Sequence, residues 1–226
     1  MKIVIKIGGH LLSTPMSIVD LDYVRELASV LEDIKRKHEM IIVTGGGSLS
    51  RFYIDALRKR GINEALCDLM GIEISRLNAL FLSLFIGGPI KIPNTVEDVL
   101  DYSSRRKIIV MGGLQPGQST TTTAAIIAET IKADLLIIAT NVEGIYTRDP
   151  FKDPSAKKID EITIDQLKEM FREKEVKAGT YPLIDYMTLR ILERAKIPAV
   201  VVNGRPPMNI IRAIRGENIG TRIRMK

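Results

Sequence analysis

The chain has no tryptophan, one cysteine and two histidines in 226 residues, with only five phenylalanines and six tyrosines. Each scarcity removes a class of function. The single Cys67 excludes an intrachain disulfide and any multi-cysteine zinc site. No Ser-His-Asp set, H-E-x-x-H motif or metal-ligand cluster can be assembled. With so few aromatic residues there is no RNA-stacking motif, and no helix-turn-helix pattern is visible. No apolar run approaches ~18 residues, so no transmembrane helix and no membrane partner are expected. The N-terminal MKIVIKIGGH carries a lysine inside its apolar run. It lacks the apolar core and small-residue cleavage site of a signal peptide, so a cytoplasmic protein is expected.

What is present is ordinary for a globular protein. Hydrophobic residues make up 45% and charged residues 27%, which argues against disorder. The length allows one large domain or two small ones with a substantial core. A net charge of +6 fits either nucleic acid or small, highly charged anions. The basic residues are scattered among acids, so small anions are favoured and no nucleic-acid partner is expected.

Strand and helix patterns alternate along the chain. Lys2 to Ile7, Glu39 to Thr44, Lys107 to Met111, Asp134 to Ala139, Ala199 to Asn203 and Thr221 to Met225 read as strands. Helical spacing marks Leu21 to Ile34, a segment from Leu49 to near Gly61, Asn63 to Phe85, Thr122 to Ile131, Ile164 to Phe171, Ile184 to Ala195 and Asn209 to Ile214. Residues 141–160 read as loop-rich. The pattern predicts an α/β fold with a mainly parallel sheet, whose ligands bind beyond the carboxyl ends of the strands. The stretch Asn63 to Phe85 is more apolar than one buried stripe needs, which predicts a subunit interface.

The predicted strand ends are Gly8-Gly9-His10, Gly45-Gly46-Gly47, Gly112 to Thr120, and Thr140-Asn141-Val142-Glu143-Gly144. Glycine-rich turns leading into helices bind phosphate through free backbone N–H groups. Three such turns on one sheet edge predict several phosphates held side by side. Arg51, one turn into the helix after Gly45-Gly46-Gly47, can hold a phosphate with its planar fork; the alternative is a tight turn with a surface arginine. GGLQPGQST, from Gly112, has nearly the spacing of a P-loop but carries Gln118 where that motif needs lysine. The hydroxyl run Ser119 to Thr123 exceeds what a helix cap requires. Lys6 lies inside an apolar strand, either on an edge or pointing into the cleft; the cleft is favoured, because buried lysines need anionic partners. No protein nucleophile is apparent. Phosphoryl transfer to an acceptor that is already an anion needs none.

KIGGH at Lys6, TGGGSLSR at Thr44, DLMGIEISRLNA at Asp68, GGLQPGQSTTTTAAIIAE at Gly112 and ATNVEGIYTRDP at Ala139 together resemble the amino acid kinase superfamily. Within it they are similar to the archaeal-type uridylate kinases. The resemblance runs through essentially the whole chain. It implies an open αβα sandwich, with a single domain over residues 1–226, an acceptor-binding part over roughly 1–135 and an ATP-binding part over roughly 136–226. It implies ATP and UMP as substrates in pyrimidine nucleotide biosynthesis, Mg2+ arriving with ATP and no metal ligand from protein side chains. A homohexamer built from dimers is also implied.

Carried over by motif, Lys6, Arg51 and Asp185 are the expected catalytic residues. Lys6 would neutralise the transferring phosphoryl group, and Asp185 matches a family acid. Gly9 and His10 would lie by the ATP phosphates, and Gly47 and Arg51 between the two nucleotides. Thr140, Asn141, Tyr146 and Asp149 would hold ATP, with Tyr146 against the adenine. Gly46 would contact UMP and Asp68 its ribose, while Leu114, Gln115, Pro116, Gly117, Gln118, Ser119 and Thr120 would wrap the UMP. His10 departs from the small or basic residue usual there. Arg51 stands where isopentenyl phosphate kinases would carry a histidine, which favours UMP. The alternatives are another phosphotransferase of the superfamily, for isopentenyl phosphate or a small acid, and a nucleotide-binding regulator without catalysis.

Overall fold

The computed structural model describes residues 1–14, 16–148, 150, 153–171 and 183–225. Strand β1 (Lys2–Ile7) leads through a short turn to helix α1 (Leu21–Lys35), then β2 (Glu39–Thr44), α2 (Gly47–Lys59), α3 (Glu64–Phe85) and α4 (Val96–Ser103). Next come β3 (Ile108–Met111), α5 (Thr120–Thr130), β4 (Leu135–Thr140) and the short pair β5 (Ile145–Tyr146) and β6 (Lys158–Ile159). The chain ends with β7 (Glu161–Thr163), α6 (Ile164–Phe171), α7 (Tyr186–Ala195), β8 (Ala199–Asn203), α8 (Met208–Ile214) and β9 (Thr221–Arg224).

Seven strands form one sheet in the order β3-β2-β1-β4-β8-β9-β7, and β5 pairs with β6 apart from it. All pairings in the large sheet are parallel except β8 with β9. The expected parallel α/β sheet is therefore present, with one antiparallel junction. Helix α4 and strands β5, β6 and β7 go beyond the sequence expectation. Helix α4 carries its own start signal, a capping box in which Thr95 and Asp98 satisfy each other's backbone N–H groups. The three strands are two or three residues long, too short for a period to register.

Both faces of the sheet are covered, which is why its strands read as continuous apolar runs rather than alternating ones. Ile3, Ile5 and Ile7 of β1 join a core with Leu27 and Leu31 of α1 and Ile210 of α8. Val4, between them, faces the other way into a core with Ala124 and Ala128 of α5 and Leu189 and Leu192 of α7. Successive strand residues point to opposite faces, so Lys6 shares Val4's side, toward α5. Helix α5 buries Thr121, Thr122, Thr123, Ala124, Ala125 and Ala128. These small side chains seat it close to β1 and β2, with which it packs.

Candidate active site

The strand order places the ends of β3, β2, β1, β4 and β8 next to one another. A cleft of about 360 Å³ opens there, at the carboxyl edge of the sheet. Of the residues expected to form a site, Lys6, Gly9, His10, Gly46, Gly47, Arg51, Asp68, Gln118, Ser119, Thr120, Thr140 and Asn141 line this one cleft. Ser50, Ile54, Gly71 and Ile72, from α2 and α3, complete one wall.

The glycine turns meet each other before they meet any ligand. A β-carbon on Gly9 would lie 2.4 Å from the Gly45 carbonyl oxygen, and one on Gly47 would lie 2.6 Å from the Gly9 carbonyl carbon. Gly47 also has φ +69°, a left-handed conformation that favours glycine. The glycines at 9, 45 and 47 thus let the ends of β1 and β2 interlock. Close approach of phosphate, the sequence-based reason for them, is not what excludes a side chain at these positions. Gly46 is held differently, with its missing β-carbon's place 2.4 Å from Ser50 Cβ.

Interlocking leaves helix α2 with its N-terminus toward the cleft. Its N-cap, Gly46, has no side-chain cap hydrogen bond, whereas α5 is capped by Ser119 and α7 by Asp185. The uncapped first turn of α2 therefore offers backbone N–H donors and the positive end of its dipole to an anion.

Lys6 sits at the floor. Strand β1 is flanked by β2 and β4, with Lys6 paired to Val43 and Ile138, so the edge-strand reading is excluded. Its side chain is buried, and among the described residues no carboxylate pairs with it. Burial alone lowers its pKa from 10.5 to about 8, because a charged ammonium loses hydration in the interior. His10 lies beside it. Burial, and then the charges of Lys6, Arg51 and Arg205, lower the His10 pKa to about 4. The imidazole is neutral, and its Nε2 is buried without a hydrogen-bond partner. Arg51 is exposed over the cleft.

On the opposite wall Asp68 accepts a hydrogen bond from the Gly117 backbone N–H at 2.8 Å. This bond ties helix α3 to the loop after β3. Leu114, Gln115, Pro116 and Gly117 of that loop are not among the lining residues; they form an outer rim that is largely exposed. Three residues the sequence did not single out position this loop and the turn after β2. Arg76 donates to the carbonyls of Gly113 and Leu114 at 3.2 and 3.1 Å. Ser75 Oγ accepts from the Gly113 N–H at 2.7 Å, and Asn78 donates to the Gly45 carbonyl at 2.8 Å. All three lie in the segment that begins at Asp68, yet their partners are backbone atoms of distant turns, which no local pattern reveals.

Asp185, expected to be catalytic, does not line the cleft. It lies beneath the hydroxyl run. Thr122 Oγ1 donates to it at 2.8 Å, Ser119 Oγ donates through a short hydrogen bond, and its Oδ1 accepts from the Thr188 N–H at 2.8 Å as the cap of α7. Thr188 Oγ1 is 3.0 Å from Thr122 Oγ1, and Thr121 Oγ1 donates to the Leu183 carbonyl at 3.2 Å. Ser119, Thr121 and Thr122 are thus engaged within the protein, while Ser119, Thr120 and Thr121 also line the cleft.

At the other end, the Thr140 carbonyl accepts from the Gly204 N–H at 2.7 Å, joining the ends of β4 and β8. Tyr146 is half-buried on β5 and does not line the cleft. Asp149 lies outside the described residues. Arg205, just beyond β8, was missed by the sequence reading. It pairs with Asp20 at 2.8 Å, donates to the Leu11 carbonyl at 2.8 Å and stacks 4.5 Å from the centre of the Tyr23 ring. Among the described residues no group of three or more His, Cys, Asp or Glu is placed to hold a metal ion.

The model of the amino acid kinase family matches residues 1–203. The chain belongs to the amino acid kinase family. Curated relatives in it include the uridylate kinase of Methanobrevibacter smithii, 40% identical over 225 residues that cover 99% of both chains. That of Methanothrix thermoacetophila is 41% identical over 226 residues, 99% of this chain and 100% of the relative. The crystal structure of uridylate kinase from Archaeoglobus fulgidus superimposes with a TM-score of 0.87 at 39% identity, covering 99% of this chain and 100% of that one. The α/β fold with its mainly parallel central sheet is thus shared with that uridylate kinase over 99% of this chain.

Proposed function

We propose that this chain transfers the γ-phosphoryl group of ATP to UMP, giving UDP and ADP in pyrimidine nucleotide biosynthesis. The single observation that carries the chemistry is Lys6, a buried cation without a carboxylate partner among the described residues, facing an open cleft beside Arg51 and the start of α2. Such a group needs an anion to be stable where it is. The acceptor follows from the relatives named uridylate kinase, which match nearly the full length of the chain.

The geometry suits transfer between two phosphates. UMP brings a phosphate oxygen that is already a nucleophile, so the protein has only to position it and cancel charge. Two unit charges ~4 Å apart repel by about 4 kcal/mol at an effective dielectric of 20. Lys6 from below, Arg51 from above and the N–H groups of α2 from the side oppose that repulsion. Asp68 and the loop from Leu114 to Thr120 serve the UMP side, and Thr140 and Asn141 the ATP side, with Tyr146 and Asp149 outside the central cleft. Asp185 acts as a positioning residue, holding Ser119 and Thr122 in place. Magnesium would arrive with ATP and would supply further charge neutralisation at the phosphates.

Self-association as a homohexamer, a trimer of dimers, in the cytoplasm, completes the reading. Leu66, Leu69, Leu77 and Leu84 are exposed at spacings that put them on one side of α3, and Phe52 and Tyr53 are exposed on the neighbouring α2. An apolar stripe of this size needs cover.

The test is an acceptor panel with ATP and magnesium: UMP, CMP, AMP, acetylglutamate, carbamate and isopentenyl phosphate. UMP is expected to give the highest kcat/KM, and the assignment falls if another acceptor clearly exceeds it.

A further inference from the structure

Strand β8 ends at Asn203, and the two residues after it reach into both pieces of the ATP side. The Gly204 N–H donates to the Thr140 carbonyl at 2.7 Å, at the end of β4. A β-carbon on Gly204 would lie 2.4 Å from Leu11 Cδ1 and 3.2 Å from Ala139 Cβ. Gly204 is therefore wedged between β4 and the turn Gly9–Leu11 that follows β1. Arg205 then crosses to that turn. Its Nη2 donates to the Leu11 carbonyl and pairs with Asp20 Oδ2, both at 2.8 Å. Its guanidinium carbon lies 4.5 Å from the centre of the Tyr23 ring.

The partners of Arg205 are themselves fixed. Asp20 Oδ1 caps α1 by accepting from the Tyr23 N–H at 3.1 Å, and the Asp20 N–H donates to the Leu12 carbonyl at 2.8 Å. The Asp20 side chain is only 14% exposed. On the other side, Asn203 Oδ1 accepts from the Arg205 N–H at 2.9 Å, and Asn203 Nδ2 donates to Glu143 Oε1 at 2.7 Å. The loop after β4 thus joins the same chain of bonds. A surface ion pair needs only a carboxylate. Here a carbonyl, a carboxylate and an aromatic face converge on one side chain, an arrangement that suits a planar guanidinium and not an ammonium.

We propose that Arg205 is a positioning residue for the ATP half of the cleft. It holds the turn Gly9–Leu11 in place relative to Thr140 and Asn141, and so sets the affinity for ATP while leaving that for UMP alone. This rests on the phosphotransferase reading, which puts ATP between those two pieces. Arg205 is not among the residues that line the cleft, so it acts through the backbone that it holds. Its bonds run to Leu11, Asp20 and Asn203. Asp68 and Gly117, on the UMP side, are tied to each other instead.

The experiment compares wild type with Arg205→Lys and Arg205→Met in steady-state kinetics and in calorimetry of ADP binding. Lysine keeps the charge near Asp20 but cannot serve the carbonyl, the carboxylate and the ring together. In both variants KM for ATP and Kd for ADP should rise roughly tenfold, with KM for UMP moving less than about twofold. Full recovery by Lys would make Arg205 a source of charge rather than of position, and overturns the proposal. Equal rises in both KM values overturn it, as does a lowered Tm with both unchanged. Should the Arg205 variants fail to fold, Asp20→Asn takes their place, because Asn still caps α1 while the ion pair is lost. A rise in KM for ATP alone then supports the clamp, and unchanged kinetics overturn it. UDP formation by the wild type tests the phosphotransferase reading before any variant is compared, so the two failures are distinguishable.

Discussion

Gly9 and Gly47 meet backbone to backbone: a β-carbon on Gly9 would lie 2.2 Å from the Gly47 nitrogen. This contact locks the end of β1 to the start of α2 and so sets where Lys6 and Arg51 stand relative to each other.

Gly9→Ala is expected to force the two turns apart. Overpacking of rigid backbone costs about 1–3 kcal/mol, and the displaced N-terminus of α2 should reduce kcat/KM at least tenfold. Gly61 offers the control. It has φ +83° with open space around it, so Gly61→Ala should cost about 1 kcal/mol through backbone strain and leave turnover intact. Thermal unfolding and steady-state kinetics of the pair check this; equal kinetics in both variants would count against the interlock.

Lys6→Met should stabilise the unliganded protein while nearly abolishing turnover. Burial lowers the lysine from 10.5 to about 8, so the folded state disfavours its charged form by up to about 3 kcal/mol. The unfolded chain holds the extra proton between those two values. Wild-type stability should therefore rise as pH increases from about 8 to 10.5, and the advantage of Met should be full below 8 and gone near 10.5. Denaturant unfolding across this range measures it. A destabilised Lys6→Met at neutral pH would show that the lysine is an ordinary packed residue.

The same proton should appear in the kinetics. The free enzyme needs Lys6 charged, so kcat/KM is expected to fall as pH rises through about 8. Bound phosphates raise the lysine's value, so the corresponding limb in kcat should lie at higher pH. Superimposable limbs in the two profiles would remove Lys6 from the charge-neutralising role.

Asp185→Ala removes the cap of α7 and strands the hydroxyls of Ser119 and Thr122. Loss of a cap costs about 1 kcal/mol and unpaired buried hydroxyls about 1–3 kcal/mol, so about 2–4 kcal/mol of stability should go. Because Ser119 and Thr120 line the cleft, KM for UMP should rise more than KM for ATP. Asp185→Asn keeps an acceptor for the Thr188 N–H and should recover most of the stability. A kcat loss with unchanged KM in both variants would return Asp185 to direct chemistry.

Leu77→Glu, in the middle of the exposed α3 stripe, should shift the protein to smaller species in sedimentation without changing monomer stability by more than about 0.5 kcal/mol. An unaltered mass would place the subunit contact elsewhere.

The amino-acid order alone determined the six longer strands, most helices and the side of the sheet where chemistry belongs. Those features depend on short-range periodicity and on the rule that parallel strands present ligands at their carboxyl ends. Lys6 was legible because a charge interrupts an apolar strand, and Arg51 because it follows a glycine turn by one helical turn. Only the tertiary structure decided that Gly9, Gly45 and Gly47 serve one another, since residues dozens of positions apart share no local signal. It also decided that Asp185 lies beneath the floor of the cleft, that Arg76 and Asn78 secure the turns through carbonyl oxygens, and that Arg205 crosses from β8 to the His10 turn. These are long-range hydrogen bonds and steric contacts to backbone atoms, which every residue possesses and which composition and spacing therefore cannot single out.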